Sequence, residues 1–176
     1  MRILACDPGD TQSAFVYYES EAKRPVQWWL EPNDACRKRL VSFDADVFVV
    51  EYTPPYAMKT KGGHAYVPNQ VVLTAIEIGR FVETWEFVNE TNAILFSRLD
   101  VKKHLLGRTN GNDTMIRQAI MDRFGGTREK AIGRKATPGP LFGMKADQWA
   151  AFAVAISYYE TEKMKQGIRE LPFDDE

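Results

Sequence analysis

The chain opens with short apolar runs divided by turn residues. Ile3-Leu4-Ala5-Cys6 is closed by Asp7-Pro8-Gly9, so Arg2–Cys6 reads as a strand ending in a tight turn. Gln12–Tyr18 and Pro25–Leu30 read as two more strands, joined by the short charged linker Glu19–Arg24, and the short connections predict an antiparallel meander. Trp28 and Trp29 are consecutive on the third strand and so face opposite sides of it. Asn33 or Asp34 can cap a brief helix through Leu40. Val47-Phe48-Val49-Val50 is continuous and β-branched, the pattern of a central strand buried on both faces. After Pro68 the period changes: Asn69–Val88 carries Val72, Leu73, Ile76, Gly79, Arg80 and Val82–Phe87 at spacings that fit a long amphipathic helix. Ala93–Phe96 is a further strand. Val101–Leu106 and Thr114–Phe124 are helical, separated by the Gly/Asn-rich breaker 107–112, and Gly125–Phe142 reads as a loop. Ala146–Lys163 is a helix that is apolar nearly all round from Trp149 to Ile156, which places it deep in the core. The pattern predicts an α/β protein with helices on a central sheet, residues 1–165 forming one domain and 166–176 an acidic tail.

Composition adds bounds. A chain of 176 residues with 44% hydrophobic and 27% charged positions can bury a genuine core without disulfides or a structural metal. Two cysteines, Cys6 and Cys36, exclude a disulfide framework. The longest apolar run, near 150–156, is too short to span a bilayer, and no charged-then-apolar segment opens the sequence. The expectation is therefore a cytoplasmic protein with no membrane partner. A net charge of −1 argues at first against a nucleic-acid partner. Its distribution reverses that argument. Residues 102–145 hold ten basic side chains against three acidic ones, a local charge of +7, which leaves −8 on everything else. A basic segment on an acidic body is the footprint of a polyanion-binding face, although a solvated helical face plus a charged loop gives the same pattern.

Three carboxylates stand at the ends of core elements. Asp7 ends the first strand, Glu51 follows Val47–Val50, and Asp147 lies in the first turn of the buried helix. If the first and fourth strands are parallel neighbours, Asp7 and Glu51 meet at the carboxyl end of the sheet, where sites form in open α/β folds. Carboxylates held together repel unless cations sit between them, and Mg²⁺ or Mn²⁺ is the hard, oxygen-seeking ion suited to such a place. Two such ions about 3.5–4 Å apart can stabilise the attacking and leaving oxygens in phosphodiester hydrolysis. Each residue also has an ordinary role open to it: Asp7 as a turn former, Glu51 as a rim charge, Asp147 as a helix cap.

The ordered set of motifs is more specific than any one of them. The opening Ile3-Leu-Ala-Cys-Asp7-Pro-Gly-Asp-Thr11 resembles that of RuvC-type Holliday-junction resolvases. Val49-Val-Glu51, Val101-Lys102-Lys103 with its following Gly-Asn loop, and Lys145-Ala-Asp147-Gln-Trp-Ala-Ala are similar to later segments of the same family, in the same order. The resemblance covers about residues 1–160. It implies an RNase H-like fold, a mixed five-stranded sheet flanked by helices, with Asp7, Glu51 and Asp147 as catalytic metal ligands for Mg²⁺, Mn²⁺ substituting, and two ions per site. It further implies a homodimer cutting four-way DNA junctions, a pairing in which two-fold symmetry sets equivalent sites on equivalent strands. In one respect the chain departs from the family. The position three residues before the last Asp, where an Asp or His is usual, is Met144, and a thioether is a poor ligand for a hard ion.

The DNA-facing candidates follow from charge and from the resemblance. Lys102, Lys103 and Arg108 match phosphate-contacting positions; Arg128, Lys130, Arg134 and Lys135 extend the basic surface, and Lys145 sits beside the last carboxylate. The long connection from Tyr52 to Pro68 alternates aromatic and basic groups, with Lys59 and Lys61 set to bind phosphate and Tyr56 or Tyr66 to stack in the junction. Two other function classes fit the same residues: a catalytically weak module that binds branched DNA or RNA, suggested by Met144, and a nuclease for RNA or flaps.

Overall fold

The computed structural model describes residues 1–54, 58–59, 63 and 65–167. Strands β1 (Arg2–Asp7), β2 (Gln12–Glu19) and β3 (Arg24–Pro32) form the expected antiparallel meander, followed by helix α1 (Asn33–Leu40). Strand β4 (Val47–Tyr52) then lies parallel to β1, with Cys6 opposite Val50, so that Asp7 and Glu51 leave the same end of the sheet. The connection after β4 is less bare than its sequence suggests: β5 (Met58–Lys59) and β6 (Ala65–Tyr66) form a short antiparallel pair. Helix α2 (Asn69–Asn89) leads to β7 (Ile94–Ser97), parallel to β4, and the five-stranded sheet has the order β3-β2-β1-β4-β7. Helices α3 (Arg98–Leu106) and α4 (Asp113–Asp122) follow. The stretch 125–142, read as a loop, contains α5 (Arg128–Ala131) and a tight pair of strands, β8 (Gly133–Arg134) and β9 (Thr137–Pro138). It turns so closely that a Cβ on Gly139 would lie 2.6 Å from the Lys130 carbonyl oxygen, which is why a glycine stands there. Helix α6 (Gln148–Lys165) closes the chain's described part. No described helix is long and apolar enough to cross a membrane.

Strand alternation divides the core in two. Ile3, Ala5, Val16 and Val49 face α6, whose Trp149–Tyr159 stretch is buried throughout except at Ala150, while Leu4, Cys6, Phe15, Phe48 and Val50 face α1 and α2. Alanines 151, 153 and 155 leave room for α6 to lie close against β1 and β2. Trp28 and Trp29 split as their spacing predicts, Trp29 joining the α1/α2 side and Trp28 packing against the α6 side. Helix α2 is only partly as its pattern suggests. Ile78, Phe81 and Trp85 meet the sheet, but Val72, Leu73 and Ile76 face outward and Phe87 is 86% exposed.

A small buried polar network fixes the turn after β1. The Ser13 hydroxyl donates to Asn33 Oδ1 (2.8 Å) and accepts from the Gly9 amide (3.1 Å), and Asn33 Nδ2 returns a hydrogen bond to the Gly9 carbonyl (3.1 Å). Gly9 has no room for a side chain, since a Cβ would lie 2.4 Å from the Gln12 carbonyl oxygen. The Asp7-Pro8-Gly9 corner is thus held by groups on β2 and α1 as well as by its own sequence.

A second network ties α3, α4 and α6 together. Glu160 accepts hydrogen bonds from both Arg123 Nε (2.7 Å) and Nη2 (2.9 Å) and pairs with His104 Nε2. Burial pushes the Glu160 carboxyl up, but the bonds from His104 and Arg123 outweigh it and bring the group down to about 2.

Two outcomes follow for stability. Asn33→Ala strands the Ser13 hydroxyl and the Gly9 carbonyl and is expected to cost about 1–3 kcal/mol in denaturant unfolding, an unchanged midpoint arguing against the network. Because the Glu160 carboxyl is depressed in the folded chain, its contribution is present above its ordinary 4.5 and fades as pH falls from there toward 2. Glu160→Gln should flatten that part of a melting-temperature-against-pH profile.

Candidate active site

Parallel pairing of β1 and β4 delivers Asp7 and Glu51 side by side at the carboxyl end of the sheet. They are close enough to share a hydrogen bond. Burial, then the charge and hydrogen bond of Glu51, push the Asp7 carboxyl well above the usual carboxylate range. Glu51, only 4% exposed, is also pushed up by burial, against the opposing pull of Arg98 and Asp7. Two facing acids in a desolvated site favour holding a proton between them.

Asp147 comes to the same place from the other side of the sheet's end. It opens α6 without using its side chain as a cap, and it remains exposed. The residue before it, Ala146, has φ of 39°, the left-handed region that costs an L-residue roughly 1–2 kcal/mol. That strained turn sets Asp147 toward a cavity of about 520 Å³ which Asp7, Glu51 and Asp147 line together. A second cavity, of about 460 Å³, lies between the same two strand ends and α2, where Gln70, Thr74 and Ile78 form its wall.

Three further charged residues, Arg98, Asp113 and Arg117, line the carboxylate cavity, and none of the three is a site candidate on the sequence alone. Register places Phe96 opposite Glu51 on β7, so the chain turns into α3 immediately beyond that carboxylate. Ser97 caps α3, its hydroxyl accepting from the Asp100 amide (3.0 Å), which puts Arg98 at the first helical position. Arg98 Nη1 lies 3.0 Å from both carboxylate oxygens of Glu51, and Nη2 pairs with Asp113. Burial works against this cation, but the charges of Glu51, Asp113 and Asp7 outweigh it and hold the proton more firmly. Asp113 is the first residue of α4, placed there by the Asn112 cap on the Met115 amide (3.0 Å). Arg117, one turn on, lies over the Trp149 ring with its guanidinium carbon 4.5 Å from the centroid, and enters no ion pair among the described residues. The legible signals were the two caps, Ser97 with Asp100 and Asn112, each opening a helix with a charged residue.

The other predicted residues distribute differently. Lys103, Arg108, Arg128, Lys130, Arg134, Lys135 and Lys145 are exposed and Lys102 is half-buried, and none enters an ion pair among the described residues. None of them lines either cavity. Arg123, counted in the same basic segment, is spent on Glu160 instead. Tyr66 is exposed on β6 with its hydroxyl toward Met58 Sδ at 3.8 Å. Tyr56, Lys61 and the Lys59 side chain lie outside the described residues, as does the tail from 168. Met144 is buried in the core, its carbonyl accepting from Trp149 Nε1 (3.1 Å), and takes no part in the carboxylate cluster.

The donor set suits a hard cation, being all carboxylate oxygen, with Asp147 exposed and uncommitted. As placed, however, no three His, Cys, Asp or Glu side chains among the described residues stand close enough to hold an ion. Asp147 has to close on the Asp7–Glu51 pair for three ligands to form.

No protein-family model matches the chain, and no curated protein sequence matches it. Solved structures do. A Thermus thermophilus RuvC in complex with a Holliday junction substrate aligns with a TM-score of 0.64 at 16% identity, covering 94% of this chain and 96% of that one. A second T. thermophilus RuvC structure aligns with a TM-score of 0.60 at 16% identity, covering 94% and 97%. The chain has the RuvC fold, the mixed five-stranded sheet flanked by helices that the motifs lead one to expect.

Facing carboxyls in a buried site cost stability while no cation is present. Asp7→Asn is therefore expected to raise the melting temperature in EDTA at neutral pH. A fall would show that the pair is not under strain.

Proposed function

We propose that this protein is a metal-dependent endonuclease that hydrolyses phosphodiester bonds in branched DNA, four-way junctions above all. The observation that carries the reading is the convergence of Asp7, Glu51 and Asp147, from β1, β4 and α6, on one cavity at the carboxyl end of a RuvC-like sheet. A neighbour of the same fold was solved with a Holliday junction, and the exposed cations between 102 and 145 supply the positive surface such a substrate needs.

Asp7, Glu51 and Asp147 would hold the divalent cation, Mg²⁺ or Mn²⁺. When bound, it supplies a nucleophile at neutral pH and offsets charge on the phosphodiester oxygens. The chain's own residues do the rest. Arg98 keeps Glu51 in one orientation. Arg117, stacked on Trp149 and uncommitted, faces the cavity and pairs with a non-bridging oxygen of the phosphodiester, where its charge gains as the bond breaks. Lys102, Lys103, Arg108, Arg128, Lys130, Arg134, Lys135 and Lys145 contact backbone phosphates without reading sequence, so binding falls steeply with salt. Tyr66, with Tyr56, Lys59 and Lys61 on the same connection, meets the branch point, an exposed aromatic being suited to stack on an unpaired base.

The enzyme acts as a homodimer in this reading. Support comes from α2, whose Val72, Leu73, Ile76 and Phe87 are exposed although their helical spacing is that of a packed helix. A two-fold dimer matches the symmetry of a four-way junction. Cytoplasmic action in recombination, repair or processing of replicated DNA accords with this substrate.

The deciding experiment is a panel of labelled four-way junction, flap, duplex and RNA with Mg²⁺ or Mn²⁺. Paired nicks in the junction are expected. Binding without nicks under either metal overturns the nuclease reading in favour of a binding module, and faster cutting of RNA or flaps moves the substrate. Asp147→Asn, an exposed change, should keep junction binding and abolish cutting. Arg117→Ala should slow cutting by roughly 10²-fold at nearly unchanged junction affinity.

A further inference from the structure

Arg98 occupies the edge of Glu51 that a chelating cation would take. One nitrogen, Nη1, stands at the same distance, 3.0 Å, from Oε1 and from Oε2, so it lies on the open edge between the two oxygens. A metal ion bound by both oxygens of a carboxylate sits in that same place. The guanidinium is not loosely parked there. Its other terminal nitrogen is anchored on Asp113, its helix is pinned by the Ser97 cap, and both Arg98 and Glu51 are largely out of water, at 25% and 5% side-chain exposure. What Glu51 has left to offer is the side turned toward Asp7.

The remaining donors do not build a second ion site. Met144 is buried with the core, and a thioether does not suit a hard ion in any case. Asp113 is already engaged by Arg98. The charge count of the cavity points the same way. Its lining holds four carboxylates (Asp7, Glu51, Asp113 and Asp147) and two guanidiniums (Arg98 and Arg117), a net charge of −2 when all are ionised. One divalent ion neutralises that, and a second would leave excess positive charge beside a fixed arginine.

We propose that Arg98 takes the place of one cation, so that this site binds a single divalent ion per chain, between Asp7 and Glu51 with Asp147 closing on it. The proposal rests on the metal-centre reading above and narrows the two-ion expectation that the family resemblance carries. Arg98 then does fixed-charge work that a second ion does elsewhere, without having to be recruited from solution.

The test counts ions rather than turnover. Titrating the metal-free protein with Mn²⁺, and following loss of the free-ion electron paramagnetic resonance signal, should give one ion bound per chain. Arg98→Gln, which frees the edge of Glu51 and releases Asp113, should give two. Two ions in the wild-type protein, or one in both proteins, overturns the proposal while leaving a metal-dependent nuclease standing. No bound ion in the wild type overturns both. Should Arg98→Gln fail to fold, wild-type crystals soaked in Mn²⁺ decide the matter. A single anomalous peak against Asp7 and Glu51, with Arg98 still spanning Glu51 and Asp113, supports the proposal, and two peaks or a displaced Arg98 overturn it.

Discussion

Parallel pairing of β1 with β4 is the constraint on which the rest of the molecule depends. It sets two strands, buried on both faces, at the centre of the sheet, and it ends them in register with a carboxylate each. The packing and the chemistry therefore oppose one another at one point. The apolar stretches Ile3–Cys6 and Val47–Val50 gain from burial, and that same burial raises the cost of the charges that follow them. The fold tolerates the cost by bringing cations to the spot from elements remote in sequence: Arg98 from the start of α3 and Arg117 from α4.

Each carboxylate is positioned by a different kind of interaction. Asp7 depends on the Ser13–Asn33–Gly9 network, in which a buried hydroxyl and amide on β2 and α1 satisfy the backbone of a turn. Glu51 is held by the guanidinium across its edge. Asp147 owes its place to a strained Ala146 and to the deep seating of α6, whose Trp149 both anchors Met144's carbonyl and carries Arg117 on its ring. Strain and buried polarity collect here while the opposite end of the sheet is closed by an ordinary pairing, Arg2 with Asp44 and Asp46. Such concentration of locally unfavourable features is what a functional site looks like in an otherwise consistent fold.

The helix most at odds with its sequence pattern is α2. Its apolar residues wrap more than one face, and a single sheet can cover only the stripe through Ile78, Phe81 and Trp85. Glu77, buried on the same helix, is reached by Arg37 and Arg80 rather than left unpaired. The leftover face of Val72, Leu73 and Ile76 is legible as excess only once the fold shows which side the sheet takes.

The sequence by itself determined the elements, because hydrophobic period and turn residues are local. Every strand of the main sheet and every long helix lies within a few residues of its expected place, and the ends of β1, β4 and α6 already named Asp7, Glu51 and Asp147. Only the tertiary structure decided what stands around them. Arg98 meets Glu51, forty-seven residues away, and Asp113, fifteen residues away, through strand register and two helix caps. Nothing in the local sequence separates Arg123, neutralised by Glu160, from the exposed Arg128 five positions on. The short pairs β5–β6 and β8–β9 escaped notice for a related reason, each strand being two residues long and made by backbone pairing rather than by any apolar repeat. Charge and hydrogen-bond partners are long-range properties, fixed when the sheet closes and not before.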